Sequence, residues 1–151
     1  IIKDFWVHGD LASKDKDGHW FLHGRSDDTI KVSGKRIGPS ELESVIVKSG
    51  KAKEVAAVGI PDENKGSKII LSIVLLENSE EKESYFENLV INDLGKSFKP
   101  DKIIFVKDLP KTRNMKIMRR VIKSCLAKED PGDISTLLNP ESVEEIRAHA
   151  I

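Results

Sequence analysis

Val55-Ala56-Ala57-Val58-Gly59-Ile60 and Lys68-Ile69-Ile70-Leu71-Ser72-Ile73-Val74-Leu75-Leu76 are continuous apolar runs, rich in valine and isoleucine, on either side of the turn-rich segment Pro61–Ser67. Short apolar runs bounded by turn residues read as buried strands. Lys102–Val106, just past Pro100, supplies a third. Around them the apolar spacing becomes helical. Leu42, Val45 and Ile46 follow Gly38-Pro39-Ser40-Glu41, where a proline and an acid suit a first helical turn, and Gly50 provides a stop. Phe86, Leu89, Val90 and Leu94 stripe the charged stretch 80–94, and Ile117, Val121, Ile122 and Cys125 stripe a basic helix expected from about Ile117 to Lys128. Strands 55–60, 68–76 and 102–106 with helices 39–49, 80–94 and 117–128 predict an α+β fold, a small mixed sheet with helices packed on it.

Two hairpins precede that core. Phe5-Trp6-Val7-His8 and His19-Trp20-Phe21-Leu22 are aromatic-rich runs joined by a loop ending Asp17-Gly18. Thr29–Val32 and Lys35–Ile37 form a tighter hairpin around Ser33-Gly34. The first 26 or so residues read as peripheral to the core. After Pro131-Gly132 the tail is polar, with one short helix expected over Ser142–Arg147.

Composition narrows the class of function. A chain of 151 residues is about one domain, and 38% hydrophobic with 33% charged residues is ordinary for a globular protein. Lys plus Arg and Asp plus Glu are both 25, so no global field gathers nucleic acid or an anionic membrane. No apolar run approaches the roughly 18 residues needed to span a bilayer. The one cysteine, Cys125, cannot form an internal disulfide and fits a reducing compartment, so a cytoplasmic location is expected. The chain opens Ile1-Ile2-Lys3, which reads as the interior of a longer protein.

Two segments carry unusual chemistry. Residues 24–38 hold Gly24, Gly34 and Gly38 with Arg25, Lys31, Lys35 and Arg36. Glycines let backbone approach a ligand, and arginines fork onto phosphate or ribose oxygens, although a charged hairpin with turn glycines explains the same composition. Lys111, Arg113, Lys116, Arg119, Arg120 and Lys123 crowd six cations into residues 111–123 with no acid among them. In a neutral chain that excess suggests a phosphate-bearing ligand; a solvated helix face and a nucleic-acid patch are the competing explanations.

Gly24-Arg25-Ser26-Asp27-Asp28-Thr29-Ile30-Lys31-Val32-Ser33-Gly34-Lys35-Arg36-Ile37 resembles the hinge-and-arginine signature of adenylate-forming enzymes. Leu109-Pro110-Lys111-Thr112-Arg113-Asn114-Met115-Lys116-Ile117-Met118-Arg119-Arg120 resembles the carboxy-terminal lysine motif of acetyl-CoA synthetases. Val58-Gly59-Ile60-Pro61-Asp62 with Lys65-Gly66, and the tail Gly132–Leu137 with Asn139-Pro140, are similar to further family segments. Several long motifs in order are far more specific than one.

The resemblance implies a fragment of an ATP-dependent acyl-CoA synthetase for acetate or another short-chain acid. Its substrates would be a carboxylic acid, ATP and coenzyme A, with Mg2+ held mainly by a larger amino-terminal domain, the expected partner of this chain. Residues 1–26 would be the edge of that domain, 27–130 a mobile carboxy-terminal domain and 131–151 a tail. Asp10 and Arg25, with Arg36, would bind the nucleotide; Asp27 would be the hinge. Ser33 and Gly34 would line the passage for the pantetheine arm, and Lys116 would be the catalytic lysine of adenylation. No protein-bound metal, nucleic acid or membrane is expected, and the fragment alone should be inactive. Lys111, Arg113, Arg119 and Arg120 read as solvated or supporting charges. Met115 stands where the family has glycine, and Ile91 where some relatives bind the CoA phosphate with a cation, which leaves Lys96, Lys99 or Lys102 for that group. The alternatives are another adenylating enzyme, which the tail at 132–140 argues against, or a free-standing binding or regulatory module.

Overall fold

The structure, a computed structural model, describes residues 9–26 and 28–151. Strands β1 (Asp10–Lys14) and β2 (Trp20–Arg25) form an antiparallel hairpin. The expected strand Phe5–His8 lies outside the described residues; within them the aromatic run pairs with Asp10–Lys14. The reason is a short closing turn, in which the Asp15 carboxylate accepts the N–H groups of Asp17 and His19. Trp20, Phe21 and Leu22 are 68%, 50% and 78% exposed, so this hairpin stands outside the core.

β3 (Ile30–Val32) and β4 (Lys35–Ile37) make the second hairpin and lead into α1 (Pro39–Lys48). Pro39 opens that helix, and the Glu41 carboxylate accepts the Gly38 N–H at 2.9 Å. β5 (Ala52–Asp62), β6 (Gly66–Leu75), α2 (Glu83–Leu94) and β7 (Lys102–Phe105) follow. β6 pairs antiparallel with β5 and parallel with β7, and α2 is the crossover that a parallel neighbour requires. α3 (Arg119–Leu126) and α4 (Ser142–Arg147) complete the chain. α3 starts two residues later than the spacing predicts. Ile117 is held in a β-bridge to Lys111, and Met118 caps the helix with non-helical dihedrals.

Side-chain alternation along the sheet sorts the apolar residues onto two faces. Val55, Ala57, Ile69, Leu71, Ile73 and Ile103 pack with Ile30, Val32 and Ile37 of the second hairpin, Leu42 and Ile46 of α1, and Phe86 and Val90 of α2. Ala56, Val58, Ile60, Ile70, Val74 and Ile104 pack on the other side with Leu109, Val121, Ile122, Leu137, Val143 and Ile146. A sheet covered on both faces is why its strands read as continuous apolar runs. Gly59 marks one close approach: a Cβ there would lie 2.9 Å from Ile30 Cγ2, so only glycine lets β3 settle onto β5. The polar tail contributes Leu137, Val143 and Ile146 to the second face and is thus part of the packed domain.

Candidate active site

Ile30, Val32 and Ile37 bury the inner face of the second hairpin, which leaves Lys31, Lys35 and Arg36 outward. Ser33 and Gly34 have φ of 48° and 82°, the paired positive values of a type I′ turn. The Ser33 N–H donates to Lys65 O at 2.8 Å, which ties the tip to the β5–β6 turn. A Cβ on Gly34 would meet nothing within 4 Å, so the tip is open beside that residue. Lys31 and Arg36 oppose each other across the strands, a like-charge pair that is unfavourable by itself. Neither has an acidic partner among the described residues, so both remain available to an anion. Lys35 Nζ donates to Ser97 Oγ at 2.9 Å and brings the 96–98 turn beside the hairpin.

Lys116 stands at the end of a second tight turn. Lys111 and Ile117 form its base, the Met115 N–H donates to Thr112 O at 2.8 Å, and the Thr112 N–H donates to Lys116 O at 2.9 Å. The Thr112 hydroxyl accepts the Lys116 N–H at 3.3 Å. Met115 closes the turn with φ 61°, a left-handed conformation that favours glycine. Lys116 is exposed, without an acidic partner among the described residues, at a shallow cleft of about 540 Å³. Thr112, Arg113, Asn114, Ser135 and Thr136 complete its lining, a set of hydroxyls, an amide and two cations. Such a lining suits an anionic oxygen-rich ligand.

The remaining cations have partners in the fold. Lys111 is only 6% exposed, with its ammonium 2.9 Å from Glu54 and 2.7 Å from Asp108. It is a buried structural charge, supporting rather than solvated. Burial alone would lower its pKa, but the two carboxylates outweigh it and hold Lys111 above the usual lysine value. Burial likewise opposes ionisation of Asp108, yet Lys111, the Leu109 N–H and Asn139 hold its carboxyl below the ordinary range. Arg119 grips Glu43 through two bonds of 2.8 and 2.7 Å, while the same carboxylate accepts the Ala57 N–H at 3.0 Å. Arg120 donates to the carbonyls of Pro131 and Asp133. Of the six cations, Arg113, Lys116 and Lys123 have neither an acidic partner nor a carbonyl partner of this kind among the described residues. Sequence spacing could not sort them, because Glu54 and Glu43 are remote in the chain.

Asp10 and Arg25 are direct cross-strand partners at the open end of β1–β2, so the structure brings these two expected nucleotide ligands together. The Ser26 N–H and hydroxyl both donate to Gly9 O, which fixes that end. Asp27, the expected hinge, lies outside the described residues. Of the lysines expected to hold the CoA phosphate, Lys99 pairs with Glu87 at 2.6 Å and Lys102 donates to His149 O at 2.7 Å. Lys96 has no acidic partner among the described residues and adjoins the Ser97 contact with the hairpin. Among the described residues no helix is long and apolar enough to cross a membrane, and no group of three or more His, Cys, Asp or Glu could hold a metal ion.

A family model described as the AMP-binding enzyme C-terminal domain matches residues 41–116. An acetyl-coenzyme A synthetase of Methanothrix thermoacetophila is 46% identical over 144 residues, covering 93% of this chain and 22% of the relative. A chloroplastic/glyoxysomal acetyl-coenzyme A synthetase of Arabidopsis thaliana is 42% identical over 151 residues, covering 97% and 20%. The chain thus spans about a fifth of the length of these curated relatives. Among solved structures, ATP-bound MatB from Rhodopseudomonas palustris superposes with a TM-score of 0.73 at 27% identity, over 79% of this chain and 24% of that one. A fatty acyl CoA synthetase of Mycobacterium tuberculosis gives 0.66 at 30% identity, over 77% and 23%.

Proposed function

The chain belongs to the AMP-binding enzyme C-terminal domain family, as found in acetyl-CoA synthetases and other adenylate-forming ligases, and from that membership we propose that it is the mobile domain of a longer ATP-dependent acyl-CoA synthetase for acetate or another short-chain acid. In the first half-reaction a carboxylate oxygen attacks the α-phosphorus of ATP, the bond to pyrophosphate breaks, and acyl-adenylate forms. In the second the CoA sulfur, having lost its proton, attacks the acyl carbonyl and AMP leaves.

Lys116 serves the first step. Its ammonium, held on a tight turn without a competing acid among the described residues, offsets charge developing around the α-phosphate. The Ser33-Gly34 tip and Arg36 serve the second. The open space beside Gly34 admits the narrow pantetheine arm, Arg36 faces phosphate, and Lys96 beside the hairpin meets the nucleotide end of CoA. Asp10 accepts hydrogen bonds from the ribose hydroxyls, Arg25 binds near ribose and phosphate, and Asp27 is the pivot. Mg2+ and the acyl pocket are assigned to the preceding domain, and the location to the cytosol.

One observation carries this reading. The second hairpin packs on one face of the sheet and the Lys116 turn on the other. They are also anchored at opposite ends of β5, the hairpin at the turn after Asp62 and the lysine turn at Glu54. Eight strand residues separate those anchors by roughly 26 Å. Two such segments cannot face one reacting group in a single pose, and a domain that rotates between steps can present each in turn. The test is Lys116→Ala in the full-length protein: ATP–pyrophosphate exchange should fall by roughly 10²–10³-fold or more, while CoA capture of supplied acyl-adenylate survives. Equal loss in both half-reactions would overturn the division of labour.

A further inference from the structure

We propose that Asn139, in the tail, is a positioning residue for Lys116. Asn139 is only 6% exposed and all of its amide is engaged. Its Oδ1 accepts the Lys111 N–H at 3.0 Å, and its Nδ2 donates to Leu109 O at 2.8 Å and to the Asp108 carboxylate at 2.6 Å. Two of these are backbone groups at the foot of the Lys116 turn, and the third is a carboxylate that pairs with Lys111.

The tail around it acts as an added strand. Thr112 bridges Leu137, and the Leu138 N–H donates to Lys111 O at 2.8 Å. Lys111 and Thr112 are therefore paired on one side with Ile117 and Lys116, and on the other with residues 137–139. Ser142, itself buried, donates from its hydroxyl to Asn139 O at 2.7 Å and fixes the register of the tail. Arg120 holds the entry to this segment through the Pro131 and Asp133 carbonyls, and buried Val143 and Ile146 hold its exit. The turn carrying Lys116 has one side of its own to lean on and borrows the other from the tail.

A small displacement of a positioned charge costs a large factor in rate, of order 10²-fold for about 1 Å. Removing the Asn139 amide leaves a buried N–H and C=O without partners, and the strand answers by shifting or admitting water. The step that uses Lys116 suffers, and the step that uses the hairpin on the other face of the sheet does not. This inference rests on the reading of Lys116 as the adenylation lysine.

The test measures both half-reactions in the full-length protein for Asn139→Ala, Asn139→Asp and Lys116→Ala. Asn139→Ala should lower pyrophosphate exchange about 10²-fold and leave CoA capture of supplied acyl-adenylate within about twofold. Amide exchange should quicken at residues 112–117 and stay unchanged in β6. Asn139→Asp keeps the acceptor for the Lys111 N–H but turns an oxygen against the Asp108 carboxylate and Leu109 O, so it should lose pyrophosphate exchange at least as far as the alanine variant and still spare CoA capture; it carries the same test should the alanine variant fail to fold. Equal loss in both half-reactions, no loss, or faster exchange throughout the domain would overturn the positioning role. If Lys116→Ala is selective and the Asn139 variants are not, only this inference falls. If Lys116→Ala is itself unselective, the reading beneath it falls too.

Discussion

Met115 shows what a residue contributes beyond its side chain. It closes the Lys116 turn at φ 61°, and the resemblance placed a glycine there. An L-residue other than glycine pays roughly 1 kcal/mol for that conformation. Met115 is 59% exposed, so its side chain recovers little by packing. Met115→Gly should therefore raise the unfolding free energy by about 0.5–1 kcal/mol, a rise of roughly 2–4 °C in Tm. A fall in Tm would show that the methionine packs more than it strains. Residue roles were the least legible part of the sequence. Lys111 and Lys116 sit in one motif with similar neighbours, yet one is buried between two carboxylates and the other is exposed. Asp108 is three residues from Lys111, but Glu54 is remote in the chain and no local pattern announces it. Lys116 stood among six cations in the sequence, and the resemblance alone implied a role for it.

At the scale of elements, the Lys111 network ties the start of β5 to the lysine turn and the tail. Lys111→Met leaves Glu54 and Asp108 facing each other without their cation. The expected cost is about 2–4 kcal/mol, at the lower side for a broken buried pair because both carboxylates keep some water. The pH dependence follows from the two directions of shift. Asp108 is depressed when folded, so its contribution is present above the ordinary value of 3.8 and is lost as pH falls through its lower folded value. Lys111 is raised, so its contribution is present below the ordinary 10.5 and is lost as pH rises through its folded value. The stability gap between the wild type and Lys111→Met, read by denaturant titration, should be flat from about pH 5 to 9 and narrow below about pH 4. A gap that widens in acid would contradict the network as drawn. The elements themselves were mostly legible, because strands buried on both faces and helices with one apolar stripe leave plain periodicities. At the start of α3 a pairing had intervened: Ile117 joined a β-bridge rather than the helix.

At the scale of the molecule, a thin sheet separates the two segments to which the proposed function gives different steps. The Ser33-Gly34 hairpin leans on one face and the Lys116 turn, braced by the tail, on the other. The sequence carried both segments in recognisable motifs but could not show that they face apart, since that follows from which side of β5 each one packs on. The central claim is that one rigid domain presents these two segments in different steps. Gly34 offers the reciprocal to Lys116, because a Cβ added there meets nothing within 4 Å and its positive φ is the strain to be met. Gly34→Leu should fold with a loss of about 1 kcal/mol, visible as a small drop in Tm, and obstruct the pantetheine passage. The most direct measurement is the pair of half-reaction rates, pyrophosphate exchange and CoA capture of acyl-adenylate, for Lys116→Ala and Gly34→Leu in the full-length protein. Lys116→Ala should lose exchange by roughly 10²–10³-fold and keep capture, while Gly34→Leu should keep exchange and lose capture by a comparable factor. Both variants losing both rates together would contradict the central claim.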